Sequence, residues 1–392
     1  MSSKDNELYF GGVPLFYNFW DEFKYFELIE SMRQKTDPKF FDLLCRVRLG
    51  IPTEDDIDIL NKQKIKINNT RDIYPETAQF YKESDNNRSY SICLFGLTSE
   101  VDSCNSEISK VYKIKTVKIS AIDFVNNKLI NKNNKTKSSE TAGLENQLQI
   151  GVNSRVMLRR NVNVSSGLCN GAIGTVKAII KNEFGFITSI KILFDLHDEI
   201  TPLERFQVQY EFKKNVYCKR QQFPICLAWA ITIHKSQGLT ILFLIIDLGK
   251  SIFEAGMAYV GLSRAKELKN INIIRLDPTV IYCNNRAVSE YNRLRRKFLN
   301  KEKLCENPNT LPEKYKNAVQ NKIKEKLIQK EIKTQNTERI EKCEPPAKKK
   351  CKIDLSVKIL KLDNGTNSCY SNAAVQCLIS CRTFLLPEVC KI

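Results

Sequence analysis

Residues Phe223 to Leu268, FPICLAWAITIHKSQGLTILFLIIDLGKSIFEAGMAYVGLSRAKEL, restrict the fold more than any other stretch of this chain. The run Ile241 to Ile246 is wholly apolar and stops at Asp247, which suits a strand covered on both faces. Ahead of it the spacing predicts a helix-like run that ends in His234, Lys235, Ser236, Gln237 and Gly238. Beyond it the packed stretch AYVGLS precedes a single arginine, Arg264, and a second strand is predicted over Ile271 to Leu276. Strand, helix and strand in that order is the grammar of a parallel α/β sheet. Polar groups at the strand ends of such sheets are where phosphates are commonly held.

Elsewhere the chain has recognisable punctuation. Asp37 and Pro38 open a helix as N-cap and first-turn proline; Phe41, Leu44 and Val47 recur on one face until Gly50 ends it. Thr53 and Asp56 form a capping box for a second short helix through Leu60. Upstream, Phe16 to Arg33 carries an aromatic stripe (Phe19, Trp20, Phe23, Phe26), and Ser91 to Leu97 reads as a strand. The polar stretch 127 to 142 is a loop or linker. From Ser154 to Asp195 the pattern switches to short β runs, with Asn170-Gly171 as a hairpin signal. The economical reading is a small β subdomain inserted into an α/β lobe. A last helix is expected from Arg286 to Phe298. Residues 301 to 352 are lysine-rich and carry Pro308, Pro312, Pro345 and Pro346, so they read as a weakly structured helix and a disordered linker. The expected divisions are 1–129, 130–215, 216–300, 301–355 and 356–392.

Charge narrows the partners. Lys and Arg total 62 against 44 Asp and Glu, a formal charge of +18, which favours a polyanion, most plausibly nucleic acid. No apolar run approaches the ~18 residues a membrane span needs, so no membrane partner is expected. The 14 cysteines, with no secretory signal at the amino terminus, read as reduced thiols of cytosol or nucleus. No CxxC pair occurs and the chain has only two histidines, His197 and His234, so no zinc site is expected.

Two groups of residues are suited to phosphate chemistry. Arg264 at the end of a packed helix offers a fixed, permanent cation to a transferred phosphoryl group; a surface arginine is the alternative. In TIHKSQG, lysine and hydroxyl groups can grip a nucleic-acid phosphate; the alternative is a solvated helix end closed by glycine. Arg33, in MRQ, is a weaker candidate, with a salt-bridged helix residue as its alternative. Gly167, Asn170, Gly171 and Gly174 read as turn formers.

The ordered runs LIESMRQ, DPKFFDLLCRVRLGIPTEDDIDIL, LFGLTSEVDSCN, GVNSRVMLRRN, GLCNGAIGTV, FPICLAWAITIHKSQGLT and AYVGLSRA, from Leu28 to Ala265, carry a resemblance. The chain resembles the carboxy-terminal half of a Pif-type (petite integration frequency) DNA helicase of superfamily one, of the kind also carried by Helitron transposons. The resemblance implies an α/β fold: the second RecA-like lobe of a helicase, with an inserted small SH3-like β subdomain and then a basic linker. It implies 5′-to-3′ DNA unwinding driven by ATP and Mg2+, in DNA repair, recombination, telomere maintenance or transposon replication, in a nuclear (or mitochondrial or cytoplasmic) setting. It gives Arg33 and Arg264 the part of arginine fingers at the γ-phosphate. Thr232, His234, Lys235 and Ser236 take the part of single-stranded DNA contacts, with Gln237 and Gly238 coupling DNA to nucleotide. Single-stranded DNA and DNA junctions are the implied partners.

The departure is that no GxxxxGK[ST] loop, metal-binding acidic motif or Gln-containing third motif occurs. The Mg2+ ligands are therefore not expected in this chain, and alone it is expected neither to hydrolyse ATP nor to unwind DNA efficiently. Leu362 to Leu378 separately resembles the cysteine box of ubiquitin-specific peptidases, with Cys369 as nucleophile and Asn364 at the oxyanion; a ubiquitin-like protein would be its partner. That box departs from the family at Thr366 and Ser368, and no histidine follows Cys369. The run PPAKKKCK is either a nuclear import signal or a solvated linker. Two rival readings follow: a cysteine peptidase fused to a helicase remnant, and a non-enzymatic single-strand binder.

Overall fold

Alternate side chains of the apolar runs go to opposite faces of one parallel sheet, which is why those runs are apolar throughout. The structure, a computed structural model, describes residues 9–10, 13–14, 24–28, 30–69, 71–85, 91–125, 128–130, 141, 143–213, 216–313 and 315. The chain divides into Met1–Lys326 and Leu327–Ile392; the second unit, with Asn364, Cys369 and PPAKKKCK, lies outside the described residues.

In chain order the first unit begins with a minimal strand pair, β1 (Tyr9–Phe10) and β2 (Val13–Pro14). Helices α1 (Pro38–Leu49), α2 (Glu54–Lys62) and α3 (Tyr74–Asp85) follow, then β3 (Ser91–Phe95) and α4 (Thr98–Val111). The β region comprises β4 (Val117–Ser120), β5 (Ile122–Val125), β6 (Lys128–Ile130), β7 (Gln147–Ile150), β8 (Arg155–Leu158), β9 (Ile173–Lys181), β10 (Ile187–Phe194), β11 (Ile200–Leu203), β12 (Phe206–Lys213), β13 (Val216–Gln222) and β14 (Ile225–Leu227). The lobe returns with β15 (Ala230–Thr232), β16 (Phe243–Leu248), α5 (Met257–Leu262), β17 (Ile271–Leu276) and α6 (Asn285–Leu294).

The parallel sheet has the order β15-β3-β16-β17. Ile92, Leu94, Leu244 and Ile246 pack on one side against Phe40 and Leu43 of α1, Ile57 and Leu60 of α2, and Leu262 of α5. Cys93, Phe95 and Ile245 pack on the other against Tyr81 of α3 and Cys104 and Ile108 of α4. Gly261 lets α5 settle on the sheet: a Cβ there would stand 2.5 Å from the Ile246 side chain. At the β15 edge the Asn105 side chain replaces a neighbouring strand, accepting from Ala230 N (2.9 Å) and donating to Ala230 O (3.0 Å).

Both predicted caps form. Asp37 Oδ1 accepts from Phe40 N at 3.1 Å, and Gly50 closes α1 in the left-handed region (φ 68°). The Thr53–Asp56 capping box is complete and continues into a bidentate pair: Arg46 donates to both Asp56 oxygens at 2.6 and 2.7 Å. Burial pushes the Asp56 carboxyl up, but the Arg46 and Thr53 hydrogen bonds outweigh it and hold the group below its ordinary value. A lowered folded pKa contributes stability above the unfolded value, about 3.9, and loses it as pH falls through the folded one. Asp56→Asn should therefore cost about 1–2 kcal/mol at neutral pH and flatten the acid limb of the unfolding curve, as denaturant melts across pH would record.

Four findings differ from the sequence reading. The stretch read as helix-like before His234 is strand, β14 and β15, because its residues are buried on both sides and short apolar runs do not reveal their period. The β region is wider than 130–215: β4 pairs with β7, β5 pairs with β13, and β14 pairs back onto β8. Asn170-Gly171 lies at the end of a longer excursion between β8 and β9 and not in a tight hairpin; Gly171 N bonds Leu158 O at 2.9 Å. Residues 301–313, assigned to a loose linker, are anchored. Asn309 Oδ1 accepts from Cys283 N at 2.7 Å, its amide donates to Cys283 O at 3.0 Å, and Leu311 is buried.

Candidate phosphate and nucleic-acid site

The segment after the aromatic stripe is zipped onto the segment after α5. Buried Gln34 donates from Nε2 to Ser263 O (3.2 Å) and Ala265 O (2.8 Å), and Asp37 Oδ2 accepts from Leu268 N at 3.0 Å. This brings Arg33 and Arg264 together although 230 positions separate Arg33 from Ser263. Arg33 donates from Nη1 to Ser263 O (2.9 Å) and from Nε to Thr240 Oγ1 (3.1 Å). Arg264 donates from Nη2 to Ser263 Oγ (2.9 Å) and from Nε to Val260 O (2.8 Å). One serine therefore holds both guanidinium groups, and both remain partly exposed.

The pair sits where β16 is about to begin, next to the bridge between Ile241 and Ala265. The long-range bonds of Gln34 and Asp37 have no counterpart in the sequence reading. A glutamine beside an arginine and an N-cap aspartate each have local explanations, and their long-range partners leave no local signal.

Five residues before Thr240 stands Lys235. Here the chain leaves β15 in a 3-10 turn, Ile233–Ser236, capped by Thr232, whose Oγ1 accepts from Lys235 N at 3.4 Å. Ser236 is fully buried and donates its hydroxyl to Ile233 O at 2.7 Å. Thr232 and Ser236 thus shape the turn, and for Ser236, buried and donating inward, this corrects the reading as a phosphate contact. Gly238 follows at φ 86°, a conformation that suits glycine, with open space around it. His234 and Lys235 are half-buried, and the His234 ring lies 5.9 Å from that of Phe253.

Lys235 lines two clefts. One, of about 490 Å³, is bounded by Arg159, Asn170, Gly171, His234, Gln237 and Leu239, so the β8–β9 excursion and the 3-10 turn form its walls. The other, of about 650 Å³, runs between α4 and β7 and includes Asp102, Glu145 and Cys226. Burial raises the Asp102 and Glu145 carboxyls above their ordinary values, with the Lys235 charge opposing in both cases. Arg159 opposes the rise at Glu145 as well and approaches Cys226 Sγ at 4.0 Å. Carboxylates beside a lysine weaken its hold on an anion. Any binding of a polyanion at Lys235 should therefore tighten as pH falls from about 7.5 towards their raised values. Glu145→Gln should bind more tightly at neutral pH and respond less to acid, measurable by anisotropy of a labelled strand.

Asp247, at the end of β16, is not a metal ligand in waiting. Arg275 donates to both of its oxygens, at 2.9 and 2.5 Å, and also reaches Glu100 at 3.3 Å. Among the described residues no group of three or more His, Cys, Asp or Glu is placed to hold a metal ion. The two guanidinium groups are fixed, partly exposed cations that can meet the charge of a phosphate.

Comparison with known proteins bears on the fold and the family likeness. Residues 139–179 match the family model described as DNA helicase Pif1, 2B domain. The ATP-dependent DNA helicase PIF1 of Mus musculus is 40% identical over 148 residues, which is 38% of this chain and 22% of that protein. The protein of the same name from Xenopus laevis is 30% identical over 275 residues, 68% of this chain and 38% of that one. The crystal structure of Pif1 helicase from Bacteroides in complex with ADP-AlF3 and ssDNA superposes with a TM-score of 0.52 at 26% identity. It covers 70% of this chain and 57% of that one. The chain spans between 22% and 38% of the length of these two curated relatives. With a 2B-domain match inside its β insertion and a parallel α/β lobe of the RecA-like kind, the chain is similar to the Pif1-type helicases over the part of them that it spans.

Proposed function

We propose that this chain supplies the second RecA-like lobe of an ATP-driven 5′-to-3′ DNA helicase. Arg33 and Arg264 face the γ-phosphate of a nucleotide, and the turn at Lys235 faces single-stranded DNA. The observation that carries the reading is the linkage through Thr240. This residue receives Arg33 and lies five positions after Lys235, so a shift of the DNA-side turn is felt by one of the paired arginines. ATP with Mg2+ would supply the transferable phosphoryl group. Its phosphate-binding loop and metal ligands are sought on a lobe bearing GxxxxGK[ST], which this sequence does not contain.

Within the reading, Lys235 and His234 meet the DNA backbone, Thr232 and Ser236 fix the turn that presents them, and Gln237 and Gly238 connect that turn to Thr240. DNA junctions as further partners and a nuclear, mitochondrial or cytoplasmic setting belong to the same proposal. The Pif1 relatives are named DNA helicases, which supports DNA as the partner.

The test is salt-dependent binding of labelled single strands by the purified chain. Lys235→Ala should weaken binding roughly tenfold, the worth of one charge-assisted contact, and lower the salt slope by about 1. Binding that does not respond to salt, or is indifferent to Lys235, would overturn the DNA assignment.

A further inference from the structure

The β insertion also presents aromatic side chains to solvent. Strands β9 and β10 are joined at Asn182–Phe186, where Phe184 and Phe186 are 82% and 71% exposed. Exposed phenylalanines on a loose loop would mean little, but this turn is built. Asn182 Oδ1 accepts from Phe184 N (3.1 Å) and Phe186 N (2.9 Å), Asn182 N bonds Phe186 O, and Gly185 takes φ 80°. Both rings are therefore held out in water by a locked backbone, with little ordering left to lose when something docks on them. The strands behind the tip are broken by two register shifts, one at Ile187/Ser189 and one at Lys191/Ile192, and these add twist to the hairpin.

The surrounding charge selects the occupant. Lys177, Lys181 and Lys191 are exposed on the same two strands, and Glu183 is the sole acid between Ile173 and Phe194. Two projecting aromatic faces with lysines behind them match unpaired nucleobases attached to a phosphate backbone. A purely apolar protein groove would satisfy the rings and leave the lysines without counter-charge.

We infer that the tip of the β9–β10 hairpin is a second contact for single-stranded DNA, in which Phe184 and Phe186 stack on bases while the hairpin lysines neutralise phosphates. This rests on the DNA-binding reading of the Lys235 turn and extends it to a separate part of the β insertion.

The experiment uses the full 392-residue chain. Phe184→Trp places a fluorophore at the tip, read as the difference from the parent chain, and oligo(dT) is titrated while anisotropy of a labelled strand reports binding independently. Stacking should quench the added emission, and Phe184→Ala with Phe186→Ala should weaken binding about fivefold or more, without altering the melting temperature. Binding by anisotropy with no quench, and no loss in the double variant, would overturn the inference while leaving the Lys235 assignment standing. Absence of any DNA binding would sink both. A concentration-dependent change in emission without DNA, lost when Phe186→Ala is added to Phe184→Trp, would assign the tip to a second copy of the chain and equally refute base stacking.

Discussion

In a protein that joins this lobe to one carrying a phosphate-binding loop, Arg264→Ala should lower DNA-stimulated ATP turnover by a factor on the order of 10³ or more, the range assigned to an arginine finger. The loss should fall on kcat, with single-strand affinity nearly unchanged, because a cation at the γ-phosphate acts on the charge that develops during phosphoryl transfer. Arg264→Lys should not restore it. A lysine cannot donate to Val260 O and Ser263 Oγ while also presenting a planar fork outward. Arg33→Ala should fall in the same range, and the double variant should be little worse than either single one, since both arginines are oriented by Ser263. Ser263→Ala is the informative control. It removes the hydroxyl that fixes Arg264 but keeps the carbonyl that fixes Arg33, so it should cost up to about 10²-fold, as misplacement does. Steady-state ATP turnover with and without oligo(dT) measures all five variants. Wild-type turnover in Arg264→Ala would end the assignment of these arginines to the nucleotide.

How much of this was visible in the chain depended on how local each feature is. The caps at Asp37, Thr53 and Asp56 involve neighbours three residues apart, and they form as read. The apolar runs of β3, β16 and β17 announced a sheet covered on both faces, and that sheet exists. The stretch before His234 reads equally as helix or strand because the two are indistinguishable in a short run where nearly every residue is buried. Ser236 was misread for a related reason: a hydroxyl in a phosphate-suited cluster looks the same in sequence whether it points to solvent or back to Ile233 O. The meeting of Arg33 with Arg264 came from the family resemblance and not from spacing. What holds them, Gln34 and Ser263, belongs to the three-dimensional arrangement alone.

The clearest example of a feature hidden by distance is Arg220, and it sets the second large effect. In sequence it belongs to the polar run YCKRQQ; in the structure its side chain is 0% exposed. It stands directly across from Asp123 in the β13–β5 register and donates to both carboxylate oxygens, at 2.8 and 2.7 Å. Its guanidinium lies 5.5 Å from the Tyr210 ring centre. Removing either partner leaves a buried charge uncompensated, so Arg220→Ala or Asp123→Ala should each cost about 3–5 kcal/mol. That corresponds to a fall of roughly 10 °C in Tm for a unit of this size. The paired replacement Arg220→Met with Asp123→Leu should recover most of the loss, because two desolvated charges are exchanged for apolar packing. A double-mutant cycle by denaturant unfolding gives the coupling directly. If either single variant costs less than about 1 kcal/mol, water reaches the pair and the β insertion is looser than its packing indicates. If the singles are costly and the pair is mild, the ion pair serves to fix the β13–β5 register: slipping it by one residue would turn both charges to the wrong face.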